Sequence, residues 1–155
     1  HRNVIRRRIY SGDTVMALFS GLENGLPTVT SSPAELAPTR QTQYQWPLWG
    51  QYRETNGQAG IAPDMPAAKK LLSLLQEWRK STTLERREQV WHQMLEIHAR
   101  QVFTIGLISG TLQPVVVSKK LQNVPIKGIY NWDPGSHFGI YEPDTFWLKP
   151  NIEKI

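Results

Sequence analysis

Residues 64–101 read DMPAAKKLLSLLQEWRKSTTLERREQVWHQMLEIHARQ, and the spacing of apolar side chains in this stretch decides the fold. Leu71, Leu74, Leu75 and Trp78 recur at i, i+3, i+4, i+7, which predicts a helix with one buried stripe. Lys69, Lys70, Gln76, Glu77 and Arg79 fall mainly off that stripe, and Asp64 is placed to cap the helix start. Thr82-Thr83-Leu84-Glu85 has the capping-box pattern, in which Thr82 and Glu85 satisfy each other's backbone donors and open a second helix. The stripe of that helix is Leu84, Trp91, Met94, Leu95 and His98, with Arg86, Arg87 and Glu88 outside it. Two helices joined by so few residues predict a helical hairpin.

Working outward, strand-type runs flank the pair. Val102–Ser109 (VFTIGLIS) and Pro114–Ser118 (PVVVS) are separated by Gly110-Thr111-Leu112-Gln113, consistent with a β-hairpin or a crossover at a sheet edge. Thr14–Ser20 (TVMALFS), between Ser11-Gly12-Asp13 and Gly21, is expected to be a buried strand. A last short run, Thr145–Leu148, closes the pattern. Residues 21–63 are rich in glycine and proline, with two short helical pieces expected at Ser32–Leu36 and Pro47–Tyr52; Ser32 and Pro33 suit the first turn of the former. Residues 119–143 are irregular again. Loops this long are uncommon inside a self-sufficient domain, so they are expected to lie over a partner lobe or to line a cleft. The expected class is α/β, a helix hairpin packed on a mixed sheet.

Composition narrows the function classes. The chain has 155 residues, 39% hydrophobic and 20% charged, a balance typical of folded domains and not of disordered or fibrous chains. No run approaches the 18 apolar residues of a membrane-spanning helix. With no cysteine, disulfides, thiolate metal sites and cysteine catalysis are excluded. The net charge of +5 falls to +1 without Arg2, Arg6, Arg7 and Arg8, which stand among ten residues holding no acid. Nucleic-acid binders spread basic residues over a face and interleave aromatics, so no nucleic-acid partner is expected. A contact through Arg2–Arg8 would instead show a steep salt dependence. The opening at His1, without a methionine or a cap and running straight into Val4, Ile5 and Ile9, is expected to be an excerpt of a longer polypeptide.

Catalytic and metal motifs are sparse. Gly57-Gln58-Ala59-Gly60 lacks the Gly-Lys-Ser/Thr ending of a phosphate loop. Neither Phe19-Ser20-Gly21 nor Gly135-Ser136-His137-Phe138-Gly139 has the spacing of a nucleophile elbow. His92 and His98 are six apart and share no ligand face; His92 is expected at the surface and His98 as a hydrogen-bonded core histidine. Glu23, Glu142 and Asp144 read as solvated loop acids. No catalytic residue, metal or cofactor is expected. Trp78, Trp91 and Trp147 read as core. Trp46, Trp49, Tyr52, Tyr130, Trp132, Phe138 and Tyr141 lie in Gly/Pro-rich stretches, where aromatics either cap a core or wall a ligand cleft.

Taken in order, S-G-L-E-N-G-L-P (Ser20–Pro27), Trp-Pro-Leu-Trp-Gly, the helix pair with K-x-L-L-x-L-x-x-x-W and E-R-R-E-x-V-W-x-x-M-L-x-I-H, and V-F-T-I-G-L-I (Val102–Ile108) resemble the C-terminal third of family 5 extracellular solute-binding proteins. These are the dipeptide/oligopeptide-type binding components of bacterial ABC importers. The resemblance runs from about Gly12 to Leu148. The tail N-V-P-x-x-G-I-Y-x-W-D-P-G (Asn123–Gly135) with P-D-T-F-W (Pro143–Trp147) is similar to an oligopeptide-type subgroup. It implies a bilobed periplasmic-binding-protein fold of the large cluster. Residues 1–118 would belong mainly to the second lobe and 119–155 would cross back towards the first, with the N-terminal lobe segment and the extra domain outside this sequence.

The implied role is capture of a small peptide or other solute in the periplasm and delivery to the membrane permease subunits, without chemistry. In peptide binders of this family an acidic residue after the strand, in a pattern like G-W-x-x-D-Y, pairs with the peptide's α-amino group. The matching stretch here is Phe19-Ser20-Gly21-Leu22-Glu23-Asn24. No tryptophan follows the glycine, and glutamate stands near where aspartate is expected. The resemblance therefore implies Phe19, Ser20, Gly21, Glu23 and Asn24, with Trp46, Trp49, Tyr130 and Trp132, as ligand contacts and Glu23 as amine anchor. A competing reading has the altered loop serve an oligosaccharide or other solute, with tryptophans stacking on sugar rings. A carbohydrate-active enzyme or module using Trp49 or Trp132 is the alternative from a different class.

Overall fold

The computed structural model describes residues 1–18, 31–108, 112, 114–128 and 142–150. The chain is α/β, and its described residues form four α-helices and a two-stranded antiparallel sheet. It divides into two units, one formed by residues 1–21 and 28–106, the other by residues 22–27 and 107–155.

In the first unit the helix hairpin is the centre. Helix α3 spans Pro66–Lys80 and α4 spans Leu84–Gln101, and the two pack along each other. Leu71, Leu74, Leu75 and Trp78 are all buried, as their spacing predicts. Fully burying a leucine is worth about 2 kcal/mol, so this stripe and its partners on α4 dominate the unit's stability. On α4 the buried residues are Val90, Trp91 and Met94, whereas Leu84 and Leu95 are 54% and 46% exposed. The inward face is thus rotated from the expected stripe towards Val90 and Ile97, the latter packed against the core.

The helix starts also differ from expectation. Pro66, with its φ already fixed, takes the first position of α3, and Met65 rather than Asp64 occupies the N-cap without a side-chain bond. The N-cap of α4 is Thr83, whose Oγ1 accepts from the Arg86 N–H at 3.3 Å. The box expected between Thr82 and Glu85 is therefore replaced by a single bond one residue later. Arg86 reaches back across the hairpin to pair with Glu77. The Arg87 guanidinium stands over the Trp78 ring, 4.9 Å from its centroid, and covers its face.

Residues 31–63 do not behave as a loose loop. A 3-10 turn at Pro33–Leu36 and helix α2 at Pro47–Glu54 form where short helical pieces were expected. Leu36, Ala37 and Trp46 join the hairpin's core cluster, and Pro33 and Pro38 are fully buried. The expectation that this whole stretch lies over a partner lobe or lines a cleft is corrected for residues 33–49, which pack on α3 and α4 through Ala34, Leu36, Ala37, Trp46 and Trp49. The Trp91 indole N–H ties the wrap down by donating to the Ser31 carbonyl at 3.2 Å.

Helix α1, Arg2–Tyr10, forms where no capped element was expected; its N-cap His1 makes no side-chain bond. Ile9 is its buried residue, and α1 packs on α2. After it, Val15, Met16 and Leu18 are exposed and not in a strand, which corrects the buried strand expected at Thr14–Ser20 for its described part. Residues 103–108 and 114–118 likewise form no strand, and Val102 is the left-handed C-cap of α4. A strand needs a neighbour to accept its backbone groups, and composition alone supplies none.

In the second unit, β1 (Leu121–Gln122) pairs antiparallel with β2 (Trp147–Leu148), Leu121 opposite Leu148 and Gln122 opposite Trp147. Trp147, expected in a core, is 53% exposed. Asn123, at φ 64°, turns the chain out of β1 and donates its side-chain amide to Thr145 Oγ1 at 2.9 Å. Asparagine tolerates this left-handed conformation better than most residues.

Candidate functional site

The loop implied as the ligand anchor, Phe19, Ser20, Gly21, Glu23 and Asn24, lies outside the described residues, as do Tyr130 and Trp132. Trp46 and Trp49 are described, and both belong to the first unit.

Trp46 sits at the N-cap of α2, ahead of Pro47. It is only 6% exposed. Its ring meets His98 at a centroid distance of 5.7 Å and Phe103 at 5.1 Å, and those two meet at 5.3 Å. All three contacts are edge-to-face, the arrangement that sets a ring's positive edge on a neighbour's negative face. Of the two roles open to a loop aromatic, Trp46 takes the capping role in this unit. Trp49 is half-buried and packs against the same core.

His98 Nε2 lies 2.8 Å from the Leu36 carbonyl oxygen. A carbonyl only accepts, so Nε2 carries the proton that donates here. His98 is thus the hydrogen-bonded, partly buried histidine its place on α4 predicts, and His92 is exposed.

What positions Trp46 is a polar clamp in the preceding turn. The Gln43 side-chain amide donates to the carbonyls of Ala37 at 2.9 Å, Glu35 at 3.2 Å and Ala34 at 3.3 Å. Its Oε1 accepts from the backbone N–H groups of Thr39 at 2.7 Å and Arg40 at 2.9 Å. One side chain so closes the turn between Pro33 and Tyr44. Gly50 completes it: a methyl group there would stand 2.0 Å from the Arg40 carbonyl oxygen. No sequence signal separates Gln43 from Gln41 or Gln45, so this role is visible only in three dimensions.

On the outer side, Tyr44 receives a hydrogen bond from Arg6 Nε at 3.3 Å and meets the Tyr10 ring edge-on at 5.9 Å. Burial and then the neighbouring Tyr44 push the Tyr10 phenol above its ordinary pKa. A recess of about 360 Å³, lined by Ile5, Arg8, Asp13, Thr14 and Val15, opens beside α1.

Among the described residues no group of three His, Asp or Glu side chains is gathered to hold a metal ion. No buried side-chain nitrogen or oxygen lacks a hydrogen-bond partner there. No helix among them is long and apolar enough to cross a membrane. The core around Trp46 is a cluster of edge-to-face rings packed against α3 and α4. Compared with known proteins, the chain matches no family model, no curated protein and no solved structure.

Proposed function

We propose that this chain is part of the periplasmic substrate-binding component of an ABC importer. In this reading a bilobed protein of the family 5 type closes over a dipeptide or oligopeptide and hands it to membrane permease subunits, without chemistry. The observation that carries the reading is the order of elements around the hairpin. A tightly packed α3–α4 pair is followed, after the left-handed cap at Val102, by an apolar run in which Ile105, Leu107 and Ile108 are 69–83% exposed. A second such run has Val115 and Val116 at 53% and 99%. Strand-forming residues exposed in this way suit a sheet that other parts of a longer polypeptide would complete. Backbone groups and the Glu23 carboxylate would fix the peptide, and aromatic walls including Trp132 and Tyr130 would accept varied side chains.

The test is calorimetry on the full-length protein with mixed dipeptides and tripeptides. Saturable binding is expected, and Glu23→Ala should weaken it by about tenfold or more, the loss of a charge-assisted pair. Unchanged affinity in that variant would remove Glu23 as the amine anchor. Binding of oligosaccharides in place of peptides would turn the reading towards a sugar importer, and their turnover towards a carbohydrate-active enzyme.

A further inference from the structure

The arginines at the start of the chain are arranged by α1 rather than scattered. Ile9 is buried and Arg6 is bound to Tyr44, so these two mark the inward face of the helix. At 100° per residue the opposite face carries Arg7, Val4 and Arg8, with Ile5 at its border. Arg7 and Arg8 are exposed, and Val4 and Ile5 are each 58% exposed. No ion pair joins Arg2, Arg7 or Arg8 to a carboxylate of the described residues.

Arg7 and Arg8 favour the helix as cations in its last turn. Arg2, in the first turn, works against the same dipole, so helix stability does not account for the whole cluster. Beside the arginines, the recess wall brings Val15 next to Ile5 and Arg8, with the Asp13 carboxylate in the same wall accepting from the Ser11 hydroxyl, and Val15, Met16 and Leu18 are 81–105% exposed. The surface therefore combines cations with unusually bare aliphatic side chains. A nucleic acid would use the cations but not the aliphatics. An anionic bilayer surface uses both, through headgroup attraction and shallow insertion.

We propose that the outward face of α1, with residues 15–18, is a docking surface for anionic lipid headgroups. The inference does not depend on the importer reading, and its test uses no peptide. The chain is sedimented with vesicles of phosphatidylcholine alone and with vesicles containing phosphatidylglycerol, at low and high salt. Binding is expected only to the anionic vesicles and should fall with salt. Neutralising two arginines in R7Q/R8Q should weaken it by roughly twentyfold or more, at about 1 kcal/mol per arginine near the surface. M16S/L18S should weaken it severalfold while leaving the salt dependence in place. Circular dichroism matching the wild type shows that each variant is folded.

Equal binding by R7Q/R8Q, or equal binding to neutral vesicles, would overturn the proposal. So would unchanged binding by M16S/L18S together with full competition by duplex DNA, which would make the face a general polyanion site. Failure here would leave peptide capture untouched, and failure of peptide capture would leave this surface standing.

Discussion

Gly50 is held by a carbonyl, not by a dihedral. The Arg40 oxygen occupies the place of a side chain at 2.0 Å, and the Arg40 amide nitrogen is only 2.9 Å away. Because the obstacle is backbone fixed by the Gln43 clamp, it has no flexible end to swing aside. Gly50→Ala should therefore destabilise the first unit by about 1–3 kcal/mol, the usual cost of overpacking. A chemical-denaturation midpoint unchanged from the wild type would show that the turn yields. In the sequence Gly50 falls inside the short helical piece expected at Pro47–Tyr52, and nothing marks it as the site of a close approach. The roles of His98 and His92, by contrast, were legible from their places on the α4 wheel. A helix wheel reports which side a residue faces, while a close approach between Arg40 and Gly50 depends on how a turn folds back.

At the level of elements, the helix pair was the most legible part of the chain, since a 3.6-residue period repeated over 15 and 18 residues has few other solutions. Its boundaries were less so. Adjacent threonines, Thr82 and Thr83, offer equivalent hydroxyls, and the geometry of the short linker after Lys80 selects the second. Thr83→Ala should cost about 1 kcal/mol of stability. Thr82→Ala, whose residue is exposed and outside the cap bond, should change it by less than about 0.5 kcal/mol. Thermal unfolding of both variants distinguishes them, and a larger loss at Thr82 would restore the box expected there. Strand-type runs were misread for the opposite reason. Thr14–Leu18 and Val102–Ile108 have the right residues, but a strand exists only through its neighbour, and that information is not local.

For the molecule as a whole, the stretch between residues 31 and 61 changes the picture most. Its prolines and glycines suggested an open loop, yet Pro33, Leu36, Ala37, Pro38 and Trp46 are buried against the hairpin. The apolar runs after α4 are the exposed ones. Limited proteolysis of the chain should accordingly cut first within residues 102–117 and leave residues 31–101 as the protected piece. Early cleavage between residues 36 and 46 would contradict the wrap described for that segment. The sequence by itself determined the hairpin, its apolar stripes, the short helical pieces and the clustering of charge in four arginines, because each follows from local periodicity and composition. Only the tertiary structure decided that α1 turns Arg6 inward to Tyr44 and leaves Arg7 and Arg8 outward, that Gln43 closes a turn and that Trp46 packs edge-to-face in the core with His98 and Phe103. The first and last rest on contacts between residues far apart in the chain, such as Arg6 with Tyr44 and Leu36 with His98, and the Gln43 turn rests on side-chain to backbone bonds that no helix or strand period encodes.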